Sequence, residues 1–232
     1  MRYAVLGTGV VGRTIAAKLT ALGHETVVGT RDPKSTLART ASDGYGNAPF
    51  AQWQASHPAV RLVAFAEAAA WAETVVNTTA GAASLEALTA AGTDNLAGKT
   101  LIDIANPLDF SAGMPPSLAP VNTDSLGEQI QRAFPDTRVV KALNTMNCEV
   151  MVDPSRVAGP HDVFVSGDDP DAKKRVMELL MSFGWPAASI IDLGDITTAR
   201  GTEMMLPIWL RLWGALGHAD FNFHIAGTRT SA

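Results

Sequence analysis

The sequence is poor in several features that would commit it to particular classes of protein. Its 232 residues include one cysteine, Cys148, which excludes an intramolecular disulfide framework and any metal site made of several cysteines. Basic charge is not in excess: the formal net charge is -5, whereas nucleic-acid grooves and anionic membrane surfaces attract clustered Lys and Arg. No apolar run is long enough for a membrane span, and no signal-peptide pattern opens the chain. We therefore expect a cytoplasmic protein that binds small molecules, without a metal and without a nucleic-acid or membrane partner.

Short apolar runs alternate with amphipathic segments through most of the chain. RYAVLG and ETVVGT predict buried strands, and VVGRTIAAKLTALG between them has apolar residues at helical spacing. The same alternation continues as far as RVVKAL, at residues 138–143. Strands and helices alternating at these lengths predict βαβ units and a doubly wound, mostly parallel sheet with helices on both faces.

The pattern changes after Asn147. A loop rich in Pro, Gly and Asp, DPSRVAGPHD, leads into one further strand–helix–strand unit that is expected to extend the sheet. We therefore divide the chain into a larger domain, 1–147, and a smaller, mainly helical C-terminal part, 148–232. The segment GYGNAPFAQWQASHP, at 44–58, predicts an irregular helix and loop to which we assign no role.

The last predicted helix, TTARGTEMMLPIWLRLWGALG, is apolar on nearly every face and is interrupted by Pro207. Exposure of such a helix to water would be costly on any side. It is therefore expected to pack against the ligand cleft or between the two copies of a homodimer.

A glycine-rich turn joins the first predicted strand to the first predicted helix. Gly7, Gly9 and Gly12 form G-x-G-x-x-G, in which the first glycine permits the tight turn. The second lets backbone amides approach a diphosphate, and the third lets helix and strand pack closely. The N-terminus of the helix adds further amides and the positive end of the helix dipole. These features predict a Rossmann domain that binds a dinucleotide.

The end of the second predicted strand distinguishes NADP from NAD. An NAD site would place Asp or Glu there, about 20 residues after the turn, to bind the ribose 2′-hydroxyl. This sequence has Thr30 and Arg31 instead, followed by Lys34, and a hydroxyl with two cations suits a 2′-phosphate. We therefore predict NADP. The alternative is that Arg31 is a solvated surface residue paired with its neighbour Asp32.

These motifs, with others along the chain, resemble the family of F420-dependent NADP oxidoreductases. The resemblance covers AVLGTGVVGRTIAAKLTALGHE, VVGTRD, VVNTTAGAASLEAL, IDIANPL, VVKALNTM and ARGTEMMLPIWLRL, and so nearly the whole chain. Members of that family have a Rossmann domain and a small C-terminal part that helps to form a dimer. They pass hydride between NADPH and a deazaflavin laid over the nicotinamide. The resemblance thus implies an enzyme with NADP as cofactor and F420, FMN or FAD as acceptor.

The resemblance also implies roles for residues at the carboxyl ends of the predicted strands, where ligands bind in open α/β sheets. Beside the diphosphate it places Gly7, Thr8, Gly9, Val10, Val11 and Gly12. At the 2′-phosphate it places Thr30, Arg31 and Lys34. On the nicotinamide side it places Thr78, Thr79, Ala80, Asn106, Pro107 and Leu108. Facing the acceptor ring it places Asn144, Thr145 and Met146.

The residue at 144 leaves the acceptor open. Asn144 stands where the archaeal F420 enzymes have His, and in this respect the chain is similar to the cytoplasmic reductase domains of membrane metalloreductases, which use an ordinary flavin.

The sequence contains no compact constellation for acid–base catalysis. Hydride transfer between stacked rings needs positioning and exclusion of water more than an acid or a base. Lys141, in RVVKALN, is open to two interpretations: a proton donor to a small carbonyl or imine substrate, or a strand lysine that reaches a carboxylate. We expect Cys148 to be an inert buried thiol and Asp103 to cap a loop. A non-catalytic module that senses NADPH is the third function compatible with the motifs.

Overall fold

The predicted alternation of strands and helices folds into one eight-stranded sheet with a hydrophobic core on each face. The computed structural model describes residues 1–42 and 46–227. The strands, in chain order, are β1 (Arg2–Leu6), β2 (Glu25–Thr30), β3 (Arg61–Ala64), β4 (Thr74–Asn77), β5 (Thr100–Asp103), β6 (Leu108–Asp109), β7 (Ser117–Leu118), β8 (Arg138–Ala142), β9 (Val163–Gly167) and β10 (Ile190–Gly194). The short strands β6 and β7 form a separate antiparallel ribbon.

The helices lie between these strands. They are α1 (Val10–Ala21), α2 (Pro33–Ala38), α3 (Phe50–Ala55), α4 (Phe65–Trp71), α5 (Gly81–Ala91), α6 (Thr93–Leu96), α7 (Leu126–Ala133), α8 (Cys148–Val152), α9 (Pro170–Phe183), α10 (Ala199–Glu203) and α11 (Leu206–Leu216). Within the described ranges, no helix is both long enough and apolar enough to cross a membrane.

The sheet has the strand order β10-β9-β8-β5-β4-β1-β2-β3. Every neighbouring pair is parallel except β8 and β9, which are antiparallel. From β1 the chain first builds outward through β2 and β3, then returns to build β4, β5 and β8 on the other side. The order therefore reverses between β1 and β4, and the crevice at their carboxyl ends is where ligands bind in folds of this kind.

Each strand of the parallel part is covered on both faces. Along β1, Tyr3 and Val5 pack into one core with Ile15 of α1. Ala4 and Leu6 point the other way, into the core that contains the buried residues of α4, α5 and α7. Burial on both faces explains why the predicted strands read as continuous apolar runs rather than as alternating ones.

The chain after residue 147 contributes to the same sheet. The unit β9–α9–β10 is the predicted strand–helix–strand extension, and it begins antiparallel to β8. The boundary predicted at residue 147 thus falls between strands of one sheet, and the division into 1–147 and 148–232 stays a prediction.

The last predicted helix is divided into three parts. A 3-10 turn, Ile196–Thr198, leads into α10, and two residues separate the end of α10 from the start of α11. Pro207 lies in the first turn of α11, where its missing N–H needs no partner. Within one chain α11 leaves much of its apolar surface in water: Ile208 is 49% exposed and Trp213 is 43% exposed.

Candidate functional site

The turn after β1 has the geometry that its three glycines predict. Gly7 has a φ of +125°, and a Cβ atom on it would lie 2.8 Å from the carbonyl oxygen of Thr78. A Cβ atom on Gly12 would lie 2.3 Å from the carbonyl oxygen of Gly7. A Cβ atom on Gly9, in contrast, would meet nothing within 4 Å. Two of the glycines are therefore required by packing, and the third borders open space.

That open space lies at the N-terminus of α1. Gly9 is the N-cap residue, no side chain caps the helix, and its first turn contains no acidic residue. The first backbone amides of α1 are thus left for a ligand, and the helix dipole favours an anion there. Arg13 holds the turn before the helix in place, because its Nε donates to the carbonyl oxygen of Thr8 at 2.8 Å. These residues fit the diphosphate of a dinucleotide.

A cavity of about 540 Å³ extends from this point toward the end of α2. Its walls come from the glycine turn, the end of α2 and the start of α3, and they are Thr8, Gly9, Arg13, Thr36, Ala38, Arg39, Thr40, Ala41, Ser42, Ala48, Pro49 and Phe50. The segment 44–58, to which the sequence analysis assigned no role, thus supplies part of the wall; residues 43–45 lie outside the described ranges.

None of the predicted 2′-phosphate residues lines this cavity. The buried hydroxyl of Thr30 bonds to that of Thr36 at 2.9 Å. Arg31 is exposed and lies 3.6 Å from Glu86 of α5 rather than beside Asp32, which caps α2 by accepting from the Ser35 amide. Lys34, on α2, is exposed.

A cation that does line the cavity is Arg39. Sequence reasoning missed Arg39 because the motif locates the end of β2 and not the end of the helix that follows. Binding of the 2′-phosphate by Thr30, Arg31 and Lys34 stays a prediction.

A second cavity, of about 400 Å³, lies on the other side of the start of α1. Eight of the predicted residues line it together: Val10, Val11, Thr78, Thr79, Ala80, Asn106, Leu108 and Met146. Pro107 is not among its walls. The cavity is also lined by residues that the motifs did not place there, including Phe110, Cys148, Met151 and Trp209. Of these, Trp209 belongs to the apolar segment that was expected to pack against the ligand cleft or a second copy.

Buried hydrogen bonds set the shape of this cavity. Asn77, at the end of β4, donates to Ser84 Oγ at 3.1 Å and to Asp103 Oδ1 at 2.8 Å. Its own oxygen accepts from the hydroxyl of Thr79 at 2.7 Å, which fixes that side chain at the cavity wall. Gly81 brings α5 against the next loop, since a Cβ atom there would lie 2.1 Å from the carbonyl oxygen of Asn106.

The three residues predicted to face the acceptor have different environments. Leu143 has a φ of +64°, an unusual conformation for leucine, which turns the chain sharply after β8. Asn144 is buried there and donates to Asn106 Oδ1 at 3.0 Å, while Asn106 Nδ2 donates to the Asn144 carbonyl at 2.8 Å. Thr145 is buried as well, and Met146 lines the cavity. Contact of Asn144 and Thr145 with an acceptor ring stays a prediction, whereas the support of Asn144 for Asn106 is direct.

Lys141 lies beneath the site and not in it. Its side chain is 1% exposed, and its Nζ lies 2.8 Å from Asp103 Oδ2 and 2.7 Å from Glu203 Oε1. Burial by itself lowers the pKa of Lys141, but the two carboxylates outweigh it and hold the pKa above the ordinary lysine value. A lysine with this environment is a poor proton donor, and the second interpretation of Lys141, a strand lysine that reaches a carboxylate, describes its contacts.

The two carboxylates also order neighbouring backbone. Asp103 accepts from the Ala105 amide at 3.2 Å, the loop cap that the sequence suggested. Glu203 accepts from the amides of Leu126 and Gly127 at 2.8 and 3.0 Å, at the N-terminus of α7. The end of α10 is therefore attached to both β8 and α7.

The second cavity offers little acid–base chemistry. Among the described residues that line it, Cys148 is the only one with an ionisable side chain. Burial raises the pKa of the Cys148 thiol, which keeps it protonated and inert. The described chain also contains no group of three His, Cys, Asp or Glu residues placed to hold a metal ion.

Comparisons with known proteins agree on one family. A family model for NADP oxidoreductase, coenzyme F420-dependent, matches residues 2–107. The crystal structure of a proposed F420-dependent NADP-reductase from Arthrobacter sp. FB24 is similar to this chain over 98% of its length and 100% of the other chain, with 65% sequence identity and a TM-score of 0.92.

Two further relatives are similar over nearly the whole chain. The F420-dependent NADP reductase of Methanothermobacter marburgensis is 28% identical over 218 residues, which cover 91% of this chain and 92% of that protein. The metalloreductase STEAP3 of Rattus norvegicus is 27% identical over 216 residues, which cover 90% of this chain but 38% of that protein. The chain thus spans well under half the length of the metalloreductase.

Proposed function

Because the chain belongs to the family of coenzyme F420-dependent NADP oxidoreductases and is an NADP-dependent oxidoreductase, we propose that it transfers hydride between NADPH and a flat deazaflavin or flavin ring. The flat-ring acceptor is supported by the cavity of about 400 Å³ at the carboxyl ends of β1, β4 and β5. Among the described residues that line this cavity, Cys148 is the only one with an ionisable side chain. Reduction of a carbonyl or imine needs a proton donor at the reacting atom, whereas ring-to-ring hydride transfer does not.

The chain's own residues would position and shield the reactants. Bound NADPH supplies the hydride from its nicotinamide. The open amides of α1 would hold its diphosphate, and the walls around Thr79 and Asn106 would hold the nicotinamide end. Apolar walls at Met146, Met151 and Trp209 would keep water from the reacting rings.

Anaerobic oxidation of NADPH, followed by absorbance with F420, FMN, FAD and riboflavin in turn, tests this function. We expect turnover with at least one of these flat acceptors. A small ketone or cyclic imine, offered without any flavin, should support none. Turnover with the ketone or imine alone would favour the carbonyl or imine reductase, and tight NADPH binding with no turnover would favour the sensor.

We further propose that the coenzyme is selected as NADP by two cations that follow β2, Arg31 next to the strand end and Arg39 at the end of α2. NADPH should bind at least tenfold more tightly than NADH, since one charge-assisted contact to the 2′-phosphate contributes about 1.5 to 3 kcal/mol. Arg31→Ala and Arg39→Ala should each weaken NADPH binding about tenfold and leave NADH binding unchanged. Release of Arg31 from Glu86 costs little, because both side chains are exposed.

Isothermal titration with both nucleotides measures these affinities. Lys174→Ala, on the exposed side of α9, is the matched control for loss of a surface cation and should change neither affinity. Equal affinities of the wild type for NADPH and NADH would contradict the selection of NADP by these cations.

We also propose a homodimer in which α11 of each chain covers that of the other. Ile208, Trp213 and Leu216 are each more than two-fifths exposed and lie on one short helix. Exposed apolar surface of this kind is usually covered by a partner, and a two-fold dimer is the simplest closed assembly. Sedimentation velocity at micromolar concentration should show a dimer, and Leu216→Glu should shift it to monomer. A wild-type monomer that binds NADPH fully would contradict the proposal.

A further inference from the structure

The position of Trp209 follows from contacts outside the cavity that it lines. Glu203, at the end of α10, bonds to Lys141 of β8 and to the first amides of α7. Leu206, the first residue of α11, is buried, and the Trp209 amide donates to the Met205 carbonyl at 3.0 Å. The start of α11 is thus attached to the sheet, and this attachment directs the indole of Trp209 into the wall of the cavity.

A second set of contacts supports the same indole from behind. The ring of Phe221 stacks on that of Trp209, with centroids 5.3 Å apart and planes inclined by 24°. Phe221 belongs to the C-terminal segment 220–225, which is tied to Asp162. That buried carboxylate accepts from the Ile225 amide at 2.7 Å, and the Asp162 amide donates to the Phe223 carbonyl at 2.8 Å. The indole is therefore held as a rigid flat surface at the cavity.

The indole also has an unmet hydrogen bond. Its Nε1–H is buried and has no acceptor among the described residues. Buried N–H groups nearly always have a partner in folded proteins, and one without a partner costs free energy. A ligand carbonyl oxygen at the edge of the indole, on a ketone as on a heteroaromatic ring, would supply the missing acceptor and leave the face of the indole free for stacking.

The described walls of the cavity that Trp209 lines carry no charged side chain. None of the described residues that line this cavity is Lys, Arg, Asp, Glu or His. The ring-bearing end of an acceptor would thus find aromatic and apolar surface, and a phosphate attached to it would find no cation in the cavity. Two cations, Arg13 and Arg39, line the other cavity, beyond the start of α1.

We propose that Trp209 is the side chain on which the acceptor ring stacks, and that the site recognises this ring and not the charged groups attached to it. The inference rests on the proposed function and adds its substrate class: neutral flat heteroaromatic rings are accepted as well as their phosphorylated forms. Riboflavin and FMN distinguish recognition of the ring from recognition of the phosphate, because FMN differs from riboflavin by one phosphate.

Steady-state rates with riboflavin and FMN at saturating NADPH test the recognition of the ring. We expect kcat/KM values within about threefold of each other, whereas one charge-assisted contact to the phosphate would favour FMN by about tenfold or more. Raising the salt concentration should leave the ratio unchanged. A preference for FMN of tenfold or more would overturn this inference and leave the hydride-transfer function standing. No turnover with any flavin or with F420 would contradict both.

Substitutions of Trp209 test the stacking. Trp209→Ala should raise the KM for riboflavin about tenfold, in line with the loss of one ring-to-aromatic stack, and Trp209→Phe should restore it to within about threefold. NADPH affinity should not change in either variant. Trp71→Ala, at the amino ends of β2 and β3, is the control for loss of a tryptophan elsewhere.

Direct binding supplies a readout without turnover. Titration of riboflavin with the protein alone should quench the vitamin's fluorescence, and Trp209→Ala should weaken that quenching about tenfold while Trp209→Phe retains it. Equal riboflavin binding and equal KM in the wild type and Trp209→Ala, with both proteins folded, would overturn the assignment of Trp209.

Discussion

The Gly9→Val variant should fold and yet bind NADPH about 100-fold more weakly than the wild type, or worse, because it would lose at least two charge-assisted bonds to the diphosphate. A Cβ atom at Gly9 meets nothing within 4 Å, and the backbone there, with φ -72° and ψ 178°, is open to valine. The added side chain would occupy the space in front of the α1 amides. NADH should be lost equally, since it carries the same diphosphate.

Gly12→Val, in contrast, should lower the stability of the fold. A Cβ atom at Gly12 would lie 2.3 Å from the Gly7 carbonyl oxygen and 2.8 Å from Thr78 Oγ1, so the helix and the strand must separate. Such overpacking costs about 1 to 3 kcal/mol or more, and the melting temperature should fall by several degrees. A melting curve and an NADPH titration on both variants check the pair. Full NADPH binding by Gly9→Val would exclude the start of α1 as the diphosphate site.

Replacement of Lys141 by methionine should be the most destabilising single change in the site. The side chain fills a buried position between Asp103 and Glu203, and its removal leaves two buried carboxylates without their cation. Breaking a buried ion pair in this way costs about 3 to 5 kcal/mol. For a chain of this length the melting temperature should fall by roughly 6 to 20 °C.

The effect should depend on pH in a defined direction. The pKa of Lys141 is raised in the folded protein, so its stabilising contribution is complete below the unfolded lysine pKa of about 10.4. That contribution is lost as the pH rises through the higher folded value. The difference in unfolding free energy between wild type and Lys141→Met should therefore stay constant from neutral pH to about pH 9 and shrink above about pH 10.4.

Denaturant unfolding at several pH values measures this difference. Lys173→Met provides a control, because Lys173 forms a more exposed ion pair with Asp192 and should cost no more than about 1 kcal/mol. A Lys141→Met variant as stable as the wild type would show that the buried ion network does not hold α10 to the sheet.

The sequence alone predicts those parts of the site whose backbone geometry is determined locally. A left-handed φ at Gly7 and the close approach at Gly12 admit almost nothing but glycine, so the motif specifies its own geometry. Residues at the carboxyl ends of β4 and β5 meet at one edge of the sheet whatever the loops do, which is why Thr79 and Asn106 line one cavity.

Other parts depend on partners distant in the sequence. Arg31 meets Glu86 of α5, which lies 55 residues later in the chain, and no local pattern encodes that contact. Asn144 donates to Asn106 because the chain turns sharply at Leu143, and no local pattern encodes that contact. Trp209 reaches the cavity through the anchor at Glu203, whose partners lie more than 60 residues earlier in the chain.

Transfer of deuterium from 4-deuterated NADPH to 5-deazariboflavin tests hydride transfer between rings most directly. The acceptor forms a carbon–hydrogen bond that does not exchange with water, so mass spectrometry of the reduced product records where its hydrogen came from. The proposed function predicts that one of the two stereoisomers of labelled NADPH yields deuterated product in ordinary water and the other yields unlabelled product. Unlabelled product from both stereoisomers, or no reduction of the deazaflavin or of any flavin by a protein that binds NADPH, would contradict it.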